Sequence, residues 1–365
     1  MFYRAIGVMS GSSLDGLDLV FVEFIETSGK WTYTIKASAC YEYDSVLMER
    51  LRNAIHLSAY NYLCLHAEFG KFIGTEINRF ISENALEHQV QLIGTHGHTS
   101  FHTPALGMTA QLGDGATIAA TTGINTVSDL RMMDIALGGQ GAPIVPMGEK
   151  LLMSEFAYLL NLGGIANISA NREDASIAFD VCVANRVMNM LCNEVGKGYD
   201  AGGAIAATGL VHTGLLTQLN QLDYYKLNFP KSLANHFGTD IVYPMIKAVG
   251  ISINDALRTY VEHIAMQIGY AVNLLHAEKP LDTSKLLVTG GGAHNIFMIK
   301  RITAAVSGYG VEVIVPDKEL VDYKEALIMA LLAVLRWREE STVLQTVTGA
   351  CRSSIGGAVW IGQEA

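Results

Sequence analysis

Apolar runs separated by glycine-rich turns recur along the chain. The stretch GVMSGSSLDGLDLVFVEF, residues 7–24, has apolar residues on both sides of a turn rich in Gly, Ser and Asp, which predicts strand, tight turn and strand. Residues 156–180, FAYLLNLGGIANISANREDASIAFD, repeat this order around Gly163 and Gly164. Because each copy opens one half of the chain, the repetition predicts two similar domains.

Helical and strand patterns alternate between these hairpins. A helical stretch is predicted over about 45–86, followed by a strand that ends in a His- and Gly-rich loop at 93–104. Another long helix is predicted over 254–278, where Ser252 and Asp255 have the spacing of a capping box. The alternation predicts an α/β fold with a mostly parallel sheet in each half.

A third glycine cluster follows the predicted strand KLLVTGGGAHN. Gly290, Gly291 and Gly292 lead into a helix near Asn295, and a short strand VEVIVP and a long amphipathic helix over 322–340 come next. Glycines at such a turn let a planar ring or a ribose lie against the backbone, although close helix–strand packing alone also uses them. If the first two glycine turns bind phosphate, as their residue types allow, this third turn completes the order phosphate, phosphate, nucleoside, which unrelated turns would rarely show by chance.

Adjacent glycines mark the expected domain boundary. Gly138 and Gly139 break the pattern, so a hinge is predicted there. The expected domains are 1–137, which the C-terminal segment 341–365 can rejoin, and 138–340. We expect the two domains to face one another across a cleft.

Composition narrows the class of protein. Of the 365 residues, 50% are apolar and 16% are charged, as in a well-buried α/β enzyme. The 35 acidic against 25 basic side chains give a net charge of −10, so neither nucleic acid nor an anionic membrane is an expected partner.

The cysteines and the apolar runs of the sequence predict the cellular compartment of the protein. The five cysteines are scattered without a C-x-x-C pair, which predicts reduced thiols and no structural zinc site. The N-terminus lacks the zones of a signal peptide, and the apolar run at 326–335 is about half the length that a bilayer requires. We therefore expect a soluble, cytoplasmic protein.

The turn that follows the first strand carries phosphate-binding chemistry. Its glycines permit backbone angles at which amide N–H groups converge on an anion, and Ser12 and Ser13 add hydroxyl donors. Asp15 and Asp18 are candidates to hold a hydrated Mg²⁺ or to orient a water. The alternative is an ordinary hairpin with Ser, Asp and Gly as turn formers.

The order of the motifs is similar to that of the sugar kinase, Hsp70 and actin superfamily, and within it the chain resembles the anhydro-N-acetylmuramic acid kinases. The likeness extends nearly end to end. It is carried by VMSGSSLDGLDL (8–19), IGTHGHTSFHTP (93–104), AQLGDG (110–115), SDLRMMDIALGGQGAPIVP (128–146), NLGGIANIS (161–169), FDVCVANRVMN (179–189), VTGGGAHN (288–295), DYKEAL (322–327) and VTGA (347–350).

The resemblance implies two actin-like, ribonuclease H-like domains and a kinase of cell-wall recycling. The implied reaction opens 1,6-anhydro-N-acetylmuramic acid with water and phosphorylates O6 with ATP and Mg²⁺, giving N-acetylmuramic acid 6-phosphate. It also implies a homodimer. The implied ATP-binding residues are Gly11, Ser12, Ser13, Leu14, Asp15, Gly16, Leu17, Asp18, Gly163, Gly164, Gly290, Gly291 and Gly292. The implied sugar-binding residues are His96, Thr99, Arg131, Asn185 and Glu325.

Asp180 is the candidate base. It ends the apolar strand SIAFD, where partial desolvation raises a carboxyl pKa, although an Asp at a strand end also caps a following helix. The family pattern continues after this Asp with Thr-Gly-Pro-Gly-Asn, whereas here the residues are Val-Cys-Val-Ala-Asn. Asn185 keeps its place. The segment FPKSLANHFG at 229–238 also departs from the family pattern, although Lys231 and Ser232 remain.

The other candidates carry alternatives. The three imidazoles of His96, His98 and His102 allow a metal site, but no Cys or carboxylate completes one at suitable spacing, and His98 replaces the Gln of the family pattern. Arg131 can pair with the lactyl carboxylate of the sugar or with Asp129 or Asp134.

Glu325 is the last of these candidates. It has capping-box spacing from Asp322, while the family match gives it a place beside the sugar. Two other functions stay open: a non-catalytic sugar and nucleotide sensor, and a kinase for a different anhydro sugar or a hexose.

Overall fold

A computed structural model describes residues 1–11, 14–171, 176–229, 231–234, 236–278 and 284–363. The chain divides into two compact units, the first formed by Met1–Met153 with Tyr323–Ala365 and the second by Ser154–Asp322. The first unit therefore extends beyond the expected segments 1–137 and 341–365.

The strands follow the predicted hairpin pattern. They are β1 (Phe2–Ser10), β2 (Gly16–Thr27), β3 (Lys30–Glu42), β4 (Leu92–Thr95), β5 (His98–Thr103), β6 (Met108–Leu112), β7 (Thr126–Ser128), β8 (Tyr158–Leu162), β9 (Ile165–Ala170), β10 (Ile177–Val183), β11 (Ser284–Thr289), β12 (Val311–Ile314) and β13 (Ala358–Trp360).

The helices lie between and after these strands. They are α1 (Ser45–Arg52), α2 (Ala59–Glu83), α3 (Gly115–Thr122), α4 (Met132–Ala136), α5 (Val145–Leu152), α6 (Asn185–Asn193), α7 (Ala204–Thr208), α8 (Thr213–Asn220), α9 (Tyr243–Val249), α10 (Ile253–Glu278), α11 (Ile296–Val306), α12 (Lys318–Trp337) and α13 (Gln345–Thr348). Short 3₁₀ turns and a π-helix, Phe237–Val242, join some of them.

The two units repeat one sheet topology. The sheet of the first unit has the order β13-β7-β4-β1-β2-β3, and that of the second has the order β10-β9-β8-β11-β12. In both, a three-stranded antiparallel meander is followed by two strands that lie parallel to the first strand of the meander. The predicted ribonuclease H-like fold of each unit is confirmed.

The expectation of a mostly parallel sheet in each half is wrong. Each sheet is mixed, because the glycine turns connect the first strands as hairpins, which can only be antiparallel. Parallel neighbours appear after helical crossovers, as at β4 after α2 and at β11 after α10. The first helical stretch is also shorter than predicted, since it breaks between α1 and α2, where Ser58 caps α2 by accepting from the Asn61 N–H at 3.3 Å.

Helix α12 lies unusually close to the first sheet. A Cβ on Gly7 of β1 would overlap the carbonyl oxygen of Ala326, and one on Gly94 of β4 would overlap that of Met329. The helix also contacts α5, because a Cβ on Gly148 would lie 2.7 Å from the Ile328 side chain. These contacts join α5 and most of α12 to the first unit.

Within the described residues, no helix combines the length and hydropathy that crossing a bilayer demands.

Candidate active site

The residues predicted to form the first phosphate cradle fall on the β1–β2 turn of the first unit. Ser12 and Ser13 lie outside the described residues, while Leu14 has a left-handed φ of 58° and donates its N–H to the Gly11 carbonyl at 3.3 Å. Leu14 is buried. The turn ends at Gly16, where a Cβ would lie 2.9 Å from the Tyr41 carbonyl oxygen, so glycine is needed for strand contact.

Oxygen donors suitable for Mg²⁺ follow that turn. Asp15 is exposed, Leu17 is fully buried, and Asp18 is half-buried on β2 opposite Cys40 of β3. Burial and the neighbouring Asp18 carboxylate raise the pKa of the Cys40 thiol to about 12. Carboxylate oxygens are the ligand type that Mg²⁺ prefers, usually with retained waters, so the donor set fits that ion.

The β8–β9 turn of the second unit is tied to the start of α6. The N–H groups of Ala184 and Arg186 donate to the Gly164 carbonyl at 2.8 and 3.3 Å, and the Asn185 N–H donates to the Gly163 carbonyl at 3.2 Å. The Asn185 side chain donates to the Leu162 carbonyl at 2.8 Å. These bonds fix the predicted second phosphate turn against the helix.

The third glycine cluster forms an open backbone surface after β11. Gly290 has a φ of 81°, and a Cβ on it would overlap the Asn161 side chain. A Cβ on Gly292 would lie 2.7 Å from that of Leu162, whereas one on Gly291 would meet no atom within 4 Å. Asn295 caps α11 by accepting from the Met298 N–H at 2.9 Å, as predicted for the start of this helix. The bare backbone at Gly291 fits a flat nucleoside group.

Asp180 lies on β10 at a bulge in its pairing with β9. One carboxylate oxygen accepts from the Leu233 N–H at 2.8 Å. Burial raises the pKa of Asp180, and the Leu233 hydrogen bond opposes that rise. The carboxylate does not cap α6, whose N-cap is Ala184 without a side-chain bond.

The second segment that departs from the family pattern contacts Asp180. The Asp180 N–H donates to the Lys231 carbonyl at 3.2 Å, and the Tyr224 hydroxyl donates to the Asp180 carbonyl at 2.6 Å. The Lys231 ammonium lies 4.8 Å from the centre of the Tyr224 ring, and burial lowers the pKa of Lys231. Both departures therefore adjoin Asp180: one follows it in the chain, and the other forms hydrogen bonds with its backbone and its carboxylate.

Arg131 is held at the centre of a polar cluster in the first unit. Its Nε donates to His96 Nε2 at 2.8 Å and its Nη1 donates to the Gly141 carbonyl at 2.7 Å. Among the described residues it pairs with neither Asp129 nor Asp134. The Asp134 carboxylate instead accepts from the Gly141 N–H and the Thr348 hydroxyl, each at 2.7 Å.

His96 is a neutral acceptor in this cluster. Burial and the Arg131 charge lower the pKa of His96 to about 3. Because Nε2 accepts from Arg131, the proton lies on Nδ1, which donates to the Gly97 carbonyl at 2.8 Å. The imidazole therefore orients the guanidinium without adding a second positive charge.

The predicted His-rich loop is largely strand. His98, Thr99 and His102 lie on β5, which pairs with β6, because HTSFHT alternates between the two faces of a hairpin. The Tyr43 hydroxyl donates to Ser10 Oγ at 2.8 Å, and that oxygen lies 3.3 Å from His98 Nδ1. Thr99 Oγ1 lies 3.4 Å from the amide nitrogen of the Gln111 side chain.

Glu325 lies inside α12, which corrects the capping-box alternative. The helix begins at Lys318 after Asp317, whose side chain accepts from the Leu320 N–H at 2.8 Å, so Asp322 and Glu325 are both past its start. Burial raises the pKa of Glu325, and the charges of Lys324 and Arg131 oppose that rise. Glu325 therefore belongs electrostatically to the Arg131 cluster.

A buried ion pair beside Glu325 was missed from the sequence. Lys324 Nζ lies 2.6 Å from Glu149 Oε1, and the two residues are 2% and 3% exposed. Their 175-residue separation leaves no local pattern. Lys324 lies just before the apolar run at 326–335, between Tyr323 and Glu325, so the sequence around it gives no signal of burial.

Comparisons with known proteins give the family. The model of the anhydro-N-acetylmuramic acid kinase family matches residues 3–362. The anhydro-N-acetylmuramic acid kinase of Vibrio parahaemolyticus is 32% identical over 97% of this chain and 97% of that protein, and that of Hydrogenovibrio crunogenus is 34% identical over the same shares.

Among solved structures, the likeness is weaker. The activator of the 2-hydroxyisocaproyl-CoA dehydratase from Clostridium difficile aligns over 92% of this chain and 96% of that one, with 13% identity and a TM-score of 0.45, and adds nothing to the topology described above. The family match covers every motif quoted above, so the chain belongs to the anhydro-N-acetylmuramic acid kinase family.

Proposed function

We propose that the protein is an ATP-dependent kinase that opens 1,6-anhydro-N-acetylmuramic acid with water and phosphorylates O6, giving N-acetylmuramic acid 6-phosphate for cell-wall recycling. The observation that carries the proposal is the family match over residues 3–362. The chemistry requires a base for water, a binding site for an anionic sugar and a site for a nucleoside triphosphate.

Asp180 is the proposed base. A water oxygen bonds to the anomeric carbon while the bond from that carbon to O6 breaks, and the Asp180 carboxylate takes the proton that the water loses. Burial raises the pKa of Asp180 toward neutral pH. A base whose pKa lies near the working pH is both ionised and basic enough to take a proton. The Leu233 N–H fixes one oxygen, so the carboxylate keeps a defined orientation.

Arg131, His96, Thr99, Asn185 and Glu325 are the proposed sugar-binding residues. Arg131 is suited to this role. Among the described residues, its Nε and Nη1 have protein partners, so Nη2 can donate to a lactyl carboxylate. Glu325 supplies an acceptor for sugar hydroxyls.

The glycine turns are the proposed nucleotide-binding elements. Residues 11–18 and the turn at Gly163 and Gly164 are assigned to phosphate, Gly290–Gly292 to the nucleoside, and Asp15 and Asp18 to Mg²⁺ with its waters. When bound, ATP would supply its γ-phosphoryl group to O6 and leave as ADP, while Mg²⁺ would neutralise the charge of the phosphates.

Two further properties belong to the same proposal. The protein is a homodimer, and it acts in the cytoplasm. Sedimentation equilibrium tests the first, and a subcellular fractionation tests the second.

A direct assay tests the reaction. The protein is incubated with ATP, Mg²⁺ and the anhydro sugar in ¹⁸O-labelled water, and the product is identified by mass spectrometry. A phosphorylated sugar that carries one ¹⁸O at the anomeric position is expected, because one water is added at that carbon. No phosphosugar above the level of a no-enzyme control would overturn the proposal.

Two alternatives are separated by the same assay. The departure after Asp180 favours a sensor, which would bind the sugar and ATP without turnover. His98 in place of the family's Gln favours a different sugar, which a panel of anhydro sugars and hexoses would reveal.

A further inference from the structure

The side chain of Arg186 covers the β8–β9 turn of the second unit. A Cβ on Gly164 would lie 3.7 Å from both Cβ and Nε of Arg186 and 3.9 Å from its Nη2. The guanidinium therefore lies over the glycine itself. Because Arg186 directly follows Asn185, it also lies next to the segment that departs from the family pattern.

The guanidinium lacks a counter-charge within the described residues. Its Nε is buried and has no hydrogen-bond partner, and none of the ion pairs of the described chain includes Arg186. Burial lowers the pKa of Arg186, with no carboxylate to oppose that shift. Arg186 as a whole is partly exposed and only its Nε is buried, so the Nη nitrogens stay accessible and can donate to an incoming anion.

Two other arginines of the same unit also have a buried Nε that makes no hydrogen bond of acceptable geometry, but both of them have a counter-charge. Arg258 Nη2 and Arg301 Nε lie 3.0 and 2.6 Å from the same carboxylate oxygen of Glu262. Helix stability does not explain Arg186 either, because it lies in the first turn of α6, where the helix dipole disfavours a cation. The aliphatic part of the Arg186 side chain could still have a packing role, and the experiment must distinguish that role from anion binding.

We infer that Arg186 binds a phosphate group of ATP at the Gly163–Gly164 turn. A guanidinium presents a planar fork of donors that matches phosphate oxygens, and its charge offsets theirs. The inference rests on the proposed function for the assignment of this turn to ATP. It adds a phosphate-binding side chain to a turn whose predicted ligands are backbone groups.

Three variants separate charge from packing. Arg186→Met keeps an apolar stem and removes the charge, Arg186→Lys keeps the charge without the fork, and Arg258→Met is the matched control at a paired arginine. Calorimetry with Mg²⁺ measures the affinity of each for adenosine and for a non-hydrolysable ATP analogue. Adenosine binding reports whether the nucleoside part of the site is intact.

A loss confined to the triphosphate is expected. Arg186→Met should bind the ATP analogue about 10- to 100-fold more weakly, the range for a lost hydrogen bond to a charged group, and bind adenosine as the wild type does. Arg186→Lys should lose less, and Arg258→Met should leave the ratio of the two affinities unchanged. If Arg186→Met does not fold, a triphosphate-specific loss in Arg186→Lys carries the same conclusion.

The opposite result is equally clear. A folded Arg186→Met or Arg186→Lys variant with wild-type affinity for the ATP analogue would overturn the inference. The sugar-phosphorylation assay on the wild type distinguishes failure of this inference from failure of the proposed function. Arg186-dependent triphosphate binding without sugar phosphorylation would remove the proposed function alone, and sugar phosphorylation with an Arg186→Met affinity equal to wild type would remove the inference alone.

Discussion

The polar clusters of the two units are paired to different degrees, although five strands of each sheet follow one order. In the first unit, Arg131 has two protein acceptors, and Lys324 and Glu149 neutralise one another. In the second unit, the Asp180 carboxylate accepts from a single backbone N–H, and Arg186 has no counter-charge among the described residues. Extensive pairing suits a preformed binding surface, whereas sparse pairing leaves a group able to exchange a proton or receive an anion.

The largest expected effect is at Asp180. Asp180→Asn keeps an oxygen that can accept from the Leu233 N–H but removes the base, so kcat should fall about 10²- to 10⁴-fold. ATP affinity should survive. Steady-state kinetics and nucleotide titration measure both, and Asp240→Asn, at an exposed carboxylate of the same unit, is the control. Equal losses in the two variants would deny Asp180 its role.

The next effect is on the stability of the first unit. Lys324→Met removes the ammonium that faces the buried Glu149 carboxylate, which should lower the free energy of unfolding by about 3–5 kcal/mol. Urea denaturation measures the change. The double variant Lys324→Met/Glu149→Leu should recover much of the loss, whereas Lys226→Met, at an exposed pair with Asp223, should change stability by less than about 1 kcal/mol. A single variant as stable as wild type would show that this pairing is dispensable.

Arg131 tests whether pairing serves binding. Arg131→Lys keeps the charge and loses the fork, so KM for the sugar should rise about 10- to 100-fold, as for a lost hydrogen bond to a charged group, with a small change in kcat. KM for ATP should not move. Arg4→Lys, at a half-buried arginine paired with Glu23, is the control. A fall in kcat at constant KM would assign Arg131 to the reaction rather than to binding.

Two neighbouring glycines of the second unit provide a smaller, matched test. Gly290→Ala forces a side chain into a left-handed φ and against Asn161, which should cost about 1–3 kcal/mol of stability. Gly291→Ala meets open space and should leave stability unchanged. It should nevertheless weaken ATP binding, because the methyl group occupies the bare backbone proposed for the nucleoside. Unchanged ATP affinity in Gly291→Ala would remove that assignment.

The smallest effect at neutral pH is the titration of Asp180. Burial raises the pKa of this carboxyl above its ordinary value of 3.8, and the base must be ionised to act. kcat/KM should therefore fall as pH falls through the raised pKa, by about tenfold per pH unit below it. A pH profile of the wild type measures the acid limb, and a limb at or below the ordinary Asp value would contradict the effect of burial.

Local patterns predicted the elements but not the partners across the chain. The hairpins, the glycine turns and the start of α11 at Asn295 follow from residue types that restrict or free the backbone over a few positions. The capping-box alternative for Asp322 and Glu325 was wrong because Asp317, five residues before Asp322, caps α12. Spacing alone does not reveal which of two possible caps is used.

Long-range pairs lay beyond sequence reasoning. Glu149 and Lys324 lie in segments that share no motif, and their pairing depends on how α5 packs against α12. The loop at Lys231–Leu233 was recognised as a departure from the family pattern, yet its hydrogen bonds to Asp180 depend on tertiary structure. The residues of the site were thus easier to nominate than the groups that hold them.

The close approach of α12 to the first sheet couples Gly7 and Gly94 to the charged side chains of the helix. Ala326, whose carbonyl oxygen leaves no room for a methyl group on Gly7, directly follows Lys324 and Glu325. A substitution at Gly7 or Gly94 would lift the helix from the strands and carry both charged side chains with it. A variant changed in the middle of a buried strand would then bind the sugar weakly, although none of its polar residues is altered.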